Sequence, residues 1–146
     1  MLIYGDLPSK EVYDKFEDRI RKHTLVHEDI KTILTGFPSN AHPMGVLSSL
    51  VTSLTAFYPE SLDPNRSKEL VDLSIARIIA KLTTFAAWSY KNQIGQPVTY
   101  PNNKHDYVSN FLYMMFKHPA DGYEVDPVVA RALEKSAERR FSSCTE

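Results

Sequence analysis

The stretch from Ser67 to Gln93 constrains the fold most, because it carries one continuous helical pattern. Large apolar residues recur along it at spacings of three and four, as the core-facing side of a helix requires. This stripe consists of Ile75, Ile78, Ile79, Leu82, Phe85 and Ala86. Gly95 and Pro97 follow and stop the helix. At ~1.5 Å per residue it spans roughly 40 Å, which is longer than a small domain needs.

The rest of the sequence predicts further helices and no strand, because β-branched residues fall at helical rather than alternating spacing. We predict an all-α, multi-helical fold with helices at about 10–21, 26–34, 43–57, 67–93, 106–116 and 127–140. Ser9 is the predicted N-cap of the first helix, and Asn40 is preferred to His42 as the cap of the third. Asp126 and Pro127 form a typical start for the last helix.

The third predicted helix combines small and apolar residues nearly all round. Its small residues recur at spacings of four, three and four and line one face as a strip, which lets another backbone come close. We call Gly45, Ser49, Thr52 and Ala56 the small-residue strip. The helix is therefore expected to be buried on most sides. Three explanations fit: a partner subunit covers the strip, further chain covers it, or the helix lies in a compact bundle core.

Composition limits the function classes. A chain of 146 residues is long enough for one domain. Its formal net charge of −1 lacks the basic excess of a nucleic-acid binder, so nucleic acid is not expected. The single cysteine, Cys144, excludes a disulfide framework. No apolar run approaches the roughly 20 residues that cross a bilayer, so we predict no membrane association and a cytoplasmic location.

Three histidines are candidates for a chemical role. His42 lacks a second ligand at metal-binding spacing, so a capping or packing role is favoured. His23 and His27 lie four residues apart, a spacing that holds a metal when a third ligand is near. The sequence between them is not the HExxH order of zinc proteases. We therefore predict no metal site and interpret the pair as surface or boundary histidines.

Two cations on the long helix are the strongest hint of a binding site. Arg77 and Lys81 are like charges four residues apart, an arrangement that destabilises an isolated helix. With Lys22 and His23 they could form a pocket for phosphate or carboxylate groups. Spacing alone favours the interpretation that these residues line a solvated helix edge.

Acid–base catalysis has little support in the sequence. Asp121, Glu124 and Asp126 are close together, but the pattern there is that of a loop and an N-cap. No Gly-rich phosphate loop, nucleophile elbow or Ser-His-Asp arrangement occurs. We therefore interpret these three acidic residues as structural.

Six motifs occur in one order along the chain. They are YGDLPSKEV at 4–12, KHTLVHED at 22–29, AHPMGVLSSLVTSLTAFYPESLD at 41–63, IGQPVTYPNN at 94–103, NFLYMMF at 110–116 and YEVDPVVARAL at 123–133. Together they resemble an internal segment of the bacterial citrate synthases, from the start of the chain to about Lys135.

The resemblance implies an acyltransferase that condenses acetyl-CoA with oxaloacetate and water to give citrate and CoA, the entry to the tricarboxylic acid cycle. It implies a helical homo-oligomer, a dimer or hexamer, whose interface includes antiparallel helices matching 43–57 and 67–93. The small-residue strip would then allow close helix contact. No cofactor is expected. The alternatives are a methylcitrate synthase and a non-catalytic helical interaction module.

The family's substrate-binding HADHE motif and catalytic HGGAN motif are not found in these residues. Residues 1–146 are therefore expected to be a single partial domain, a segment of the large domain, that is inactive alone. The tail, about 136–146, departs from the family pattern.

The resemblance also implies a regulatory site. In the hexameric branch NADH inhibits through an allosteric pocket, and the matching positions here are Lys22, His23, Thr24, Tyr58, Arg77, Lys81 and Asn103. They include the four residues of the suspected anion pocket. The branch usually has Arg where Lys22 stands, and Lys cannot make a bidentate phosphate contact.

Overall fold

The computed structural model describes Gly5 and residues 7–142, with side chains to 137, and within this part of the chain it is helical without strands. The helices are α1 Lys10–Lys22, α2 Asp29–Thr35, α3 Pro43–Phe57, α4 Lys68–Gln93, α5 Tyr107–Phe116 and α6 Pro127–Ser142, with a short 3-10 helix at Pro59–Leu62. The all-α prediction is confirmed. Cys144 lies outside the described residues, as do residues 1–4 and 6, so the structure says nothing of them.

The long helix α4 organises the fold. It contacts α1, α2, α3, α5 and the 3-10 helix, while α6 packs on α5. Its 26 residues span about 39 Å at ~1.5 Å per residue. The buried core combines residues of α2, α3 and α4 with one residue before α2, and it consists of Val26, Ile30, Leu34, Val46, Leu50, Leu54, Phe85 and Trp88. None of the helices among the described residues is long and apolar enough to cross a membrane.

Side-chain caps fix where several helices begin. Ser67 Oγ accepts from Leu70 N at 3.4 Å and Asp106 accepts from Ser109 N at 2.7 Å, so α4 and α5 each start one residue later than predicted. The prediction of Asn40 as the cap of α3 is wrong. His42 is the cap, and its Nδ1 accepts from Met44 N at 3.2 Å, which confirms its capping role.

The start of α2 was predicted wrongly. The apolar pattern placed it at residue 26, but α2 begins at Asp29. Val26 is only 5% exposed and joins the core from the connection that precedes the helix. An apolar side chain can thus be buried without being helical, which the periodic pattern does not distinguish.

The expectation that α3 is buried on most sides is also wrong for this chain. Its buried residues are Val46, Leu50 and Leu54, which lie on one side. All four residues of the small-residue strip are exposed. Of the α4 stripe, Ile78 is 45% exposed and Leu82 39%. The described chain leaves these faces uncovered, so a compact core within it does not explain the strip.

Candidate anion-binding site

The connection between α1 and α2 is held on α4 by hydrogen bonds to three consecutive backbone carbonyls. Lys81 Nζ donates to the carbonyl of His23 at 2.9 Å and to that of Leu25. Thr84 Oγ1 donates to the carbonyl of Thr24 at 2.8 Å. Two side chains of α4, one helical turn apart, therefore fix the turn that follows α1.

Lys81 is a buried lysine with no described carboxylate partner. It is 2% exposed, and burial, followed by the charge of Arg77, lowers its pKa to about 8. One of its acceptors is the C-cap residue of α1, where the helix dipole favours a positive charge. Lys81 therefore does not lie on a solvated helix edge, as spacing alone indicated. Its ammonium is already bonded to the protein.

Lys91 repeats this arrangement at the far end of α4, and sequence reasoning missed it. It is 1% exposed, and its Nζ donates to Gln96 Oε1 at 2.6 Å and to the carbonyl of Lys117 at 2.7 Å. Lys117 is the C-cap of α5. Burial lowers the pKa of Lys91. The two buried lysines thus connect α4 to the C-terminal ends of α1 and α5.

Arg77 forms the ion pair of the suspected pocket. Its Nη1 lies 2.7 Å from Glu60 Oε1, and the two side chains are 19% and 39% exposed. The guanidinium carbon lies 4.4 Å from the centroid of the Tyr58 ring, a cation–π distance. The Arg77 Nε is buried and has no hydrogen-bond partner among the described residues. Arg77 therefore has one buried N–H donor without a described partner, in addition to the N–H group that pairs with Glu60.

His23 lies within the field of these cations. Burial lowers its pKa first, and the charges of Lys81, Arg77 and Arg19 lower it further. The imidazole is therefore neutral at pH 7. We call His23, Tyr58, Glu60, Arg77 and Lys81 the Arg77 cluster.

The structure brings together most of the residues that the resemblance assigned to an effector pocket. The carbonyl of Thr24 accepts from Thr84, between the two carbonyls that bind Lys81. Lys22 extends toward solvent and pairs with Asp18 at 2.6 Å. Asn103 lines a cleft of about 660 Å³ instead, between the loop at 97–103 and the C-terminal end of α5. Glu60 was not predicted, and no spacing in the sequence indicates that it pairs with Arg77.

The other candidate residues have structural partners. His27 stacks on Phe57 with ring centroids 5.0 Å apart, and its Nδ1 accepts from Asp29 N. Asp126 accepts from Val128 N at 2.8 Å, as a helix cap does. Within the part of the chain that the structure describes, no group of three or more His, Cys, Asp or Glu residues could hold a metal ion.

Comparison with known proteins identifies related sequences. The family described as citrate synthase, C-terminal domain, matches residues 1–137. Citrate synthase 1 of Mycobacterium tuberculosis, from strains CDC 1551 / Oshkosh and ATCC 25618 / H37Rv, is 49% identical over 134 residues. These residues are 92% of the chain and 31% of the relative. The chain thus spans about a third of the length of the curated relatives it matches.

The solved structures of similar fold are also citrate synthases. Citrate synthase from Pyrobaculum aerophilum matches with a TM-score of 0.75 and 28% identity, over 89% of this chain and 33% of that one. The Thermotoga maritima MSB8 enzyme gives a TM-score of 0.62 at 24% identity, over 84% and 30% of the two chains. The Thermoplasma acidophilum enzyme, in a ternary complex with carboxymethyl coenzyme A and oxaloacetate, gives a TM-score of 0.67 at 17% identity. The match covers 78% of this chain and 29% of that one. These last two matches establish similarity of fold alone.

Proposed function

Because the chain belongs to the citrate synthase family, we propose that it supplies part of the helical body of an enzyme that condenses acetyl-CoA with oxaloacetate to give citrate and CoA. The match to the family over residues 1–137 supports this proposal most strongly. The complex of the Thermoplasma acidophilum enzyme with a coenzyme A derivative and oxaloacetate is consistent with those substrates. A methylcitrate synthase is the second candidate, because no residue described here selects an acyl donor.

Within that enzyme the chain has a structural and regulatory role in this proposal. The histidine motifs that the resemblance assigns to substrate binding and catalysis are not among these residues. The chain alone is therefore proposed to be inactive as an acyltransferase. A cytoplasmic location stays a prediction from the sequence.

The small-residue strip on α3 is proposed to contact a second copy of the chain. Its exposure supports this role, because small side chains allow two helices to pack closely. We expect Ser49→Tyr, which places a large ring on the strip, to weaken self-association at least about tenfold. Sedimentation velocity measures this, with Ser136→Tyr on exposed α6 as the matched control. Equal association of wild type and Ser49→Tyr would contradict the proposal.

The Arg77 cluster is proposed to bind an anionic effector, with NADH as the first candidate. The guanidinium of Arg77, which has N–H donors that Glu60 does not use and an aromatic ring against it, supports anion binding. Lys81 is proposed to hold the pocket wall through its carbonyl bonds, rather than to bind the effector. Arg77 would therefore make the main charged contact with a phosphate group.

We expect Arg77→Ala to weaken NADH binding to the full 146-residue chain roughly ten- to a hundredfold, since a hydrogen bond to a charged group is lost. Titration followed by NADH fluorescence measures the affinity. Arg131→Ala removes the same side chain from the exposed face of α6 and is the matched control. Unchanged affinity in Arg77→Ala, with both variants folded, would contradict the effector site.

A further inference from the structure

Arg77 is the cation whose availability decides whether the cluster can bind an anion. Lys81 is occupied, because its Nζ donates to the carbonyls of His23 and Leu25. His23 is neutral at pH 7, because burial and the neighbouring cations lower its pKa. Lys81 keeps its positive charge but is only 2% exposed, so an incoming anion does not reach it directly. An incoming anion must therefore use the guanidinium of Arg77.

That guanidinium already has an internal carboxylate. Arg77 Nη1 donates to Glu60 Oε1 at 2.7 Å, which uses one of the five N–H donors of the side chain. The hydrogen bond from Arg77 is the largest cause of the lowered pKa of Glu60, so Glu60 is ionised at neutral pH. A negative charge thus lies on Arg77 before any ligand arrives.

The position of Glu60 allows its carboxylate to dissociate from Arg77. It lies in the four-residue 3-10 helix Pro59–Leu62, and its side chain is 39% exposed in the pair. Water can solvate the released carboxylate, and partly exposed ion pairs contribute little net stability. The Arg77 guanidinium has further N–H donors that Glu60 does not use, so a phosphate can make a second contact that the carboxylate does not make.

We propose that Glu60 competes with a phosphate-bearing ligand for Arg77 and so sets the affinity of the pocket. This inference rests on the proposed effector site. The ligand displaces the carboxylate, binds the guanidinium through more than one oxygen, and leaves Glu60 in water. The recognised chemistry is a phosphate group, from a nucleotide or from a free phosphate anion.

The test compares wild type, Glu60→Gln, Arg77→Ala and the double variant Glu60→Gln/Arg77→Ala in the full chain. Sodium pyrophosphate and NADH are titrated separately at one fixed low ionic strength, by calorimetry, and circular dichroism verifies that each variant is helical. Glu134→Gln removes the same charge from an exposed position on α6 and reports any general effect of net charge.

We expect Glu60→Gln to bind pyrophosphate about fivefold more tightly, and Glu134→Gln to bind it as wild type does. The gain should vanish when Arg77 is Ala. If Glu60→Gln also binds NADH more tightly by the same factor, the ligand is a nucleotide. If only the affinity for pyrophosphate rises, the ligand is a free phosphate anion. Unchanged pyrophosphate affinity in Glu60→Gln, while Arg77→Ala still abolishes binding, would overturn the competition but not the effector site. Absence of binding by every variant would overturn both.

Discussion

The free energy of unfolding of the wild-type chain, relative to that of Lys81→Met, is expected to rise by on the order of 3 kcal/mol as the pH is raised from about 8 to about 10.5. Lys81 is almost fully buried, and desolvation of its ammonium, together with the charge of Arg77, lowers its pKa in the folded chain to about 8. The unfolded chain keeps the ordinary value of 10.5.

The sign follows from which state binds the proton. Below about pH 8 Lys81 is protonated in both states, and the folded state carries the full cost of a buried charge. Between the two pKa values the folded state has released the proton while the unfolded state still holds it, so raising the pH favours folding. Above about 10.5 both states are neutral and the difference becomes constant.

Urea unfolding followed by circular dichroism, at several pH values from 7.5 to 10.5, measures this difference. Lys68→Met removes an exposed lysine from the first turn of the same helix and should show no such rise. A flat difference for Lys81→Met would mean that the carbonyls of His23 and Leu25 stabilise the ammonium as well as water does.

The helices were largely predictable because their signals are local. The bounds of α3 were predicted as they occur, with Pro43 in the first turn and Phe57 at the end. The last residue of α4 was predicted correctly too, since Gly95 has a positive φ of 68° that suits a chain leaving a helix. Periodicity, caps and breakers lie within a few residues of one another, so the sequence displays them directly.

The buried lysines could not be predicted in the same way. A sequence pattern assigns lysine to solvent, yet one acceptor of Lys91 is a backbone carbonyl 26 residues away along the chain. A backbone carbonyl has no sequence signature. Only the packing of α4 against the ends of α1 and α5 shows that these two charges have acceptors.

The candidate site was predicted in part. The four-residue spacing of Arg77 and Lys81 singled out both residues, but the two side chains have different partners: Lys81 donates to backbone carbonyls and Arg77 to the Glu60 carboxylate. Glu60 was missed because its pairing with Arg77 depends on the 3-10 helix, which was not predicted. Asn103, assigned through the resemblance, lines the separate cleft beside α5.

We propose that this chain contributes α4, its attached turn and a regulatory pocket to the enzyme. The condensation reaction itself would need residues outside this chain. A stand-alone helical interaction module would have the same structure but no connection with coenzyme A chemistry. Both of these accounts predict that the chain alone is inactive, so detection of catalysis by the chain would contradict both.

The most direct test is therefore release of CoA thiol from acetyl-CoA in the presence of oxaloacetate. The purified 146-residue chain is assayed at micromolar concentration, with Mycobacterium tuberculosis citrate synthase 1 as the positive control and circular dichroism to verify helicity. We expect the folded chain to release no thiol above the rate without oxaloacetate. Oxaloacetate-dependent release by the chain would contradict the account, since condensation would then be catalysed by residues described here as structural.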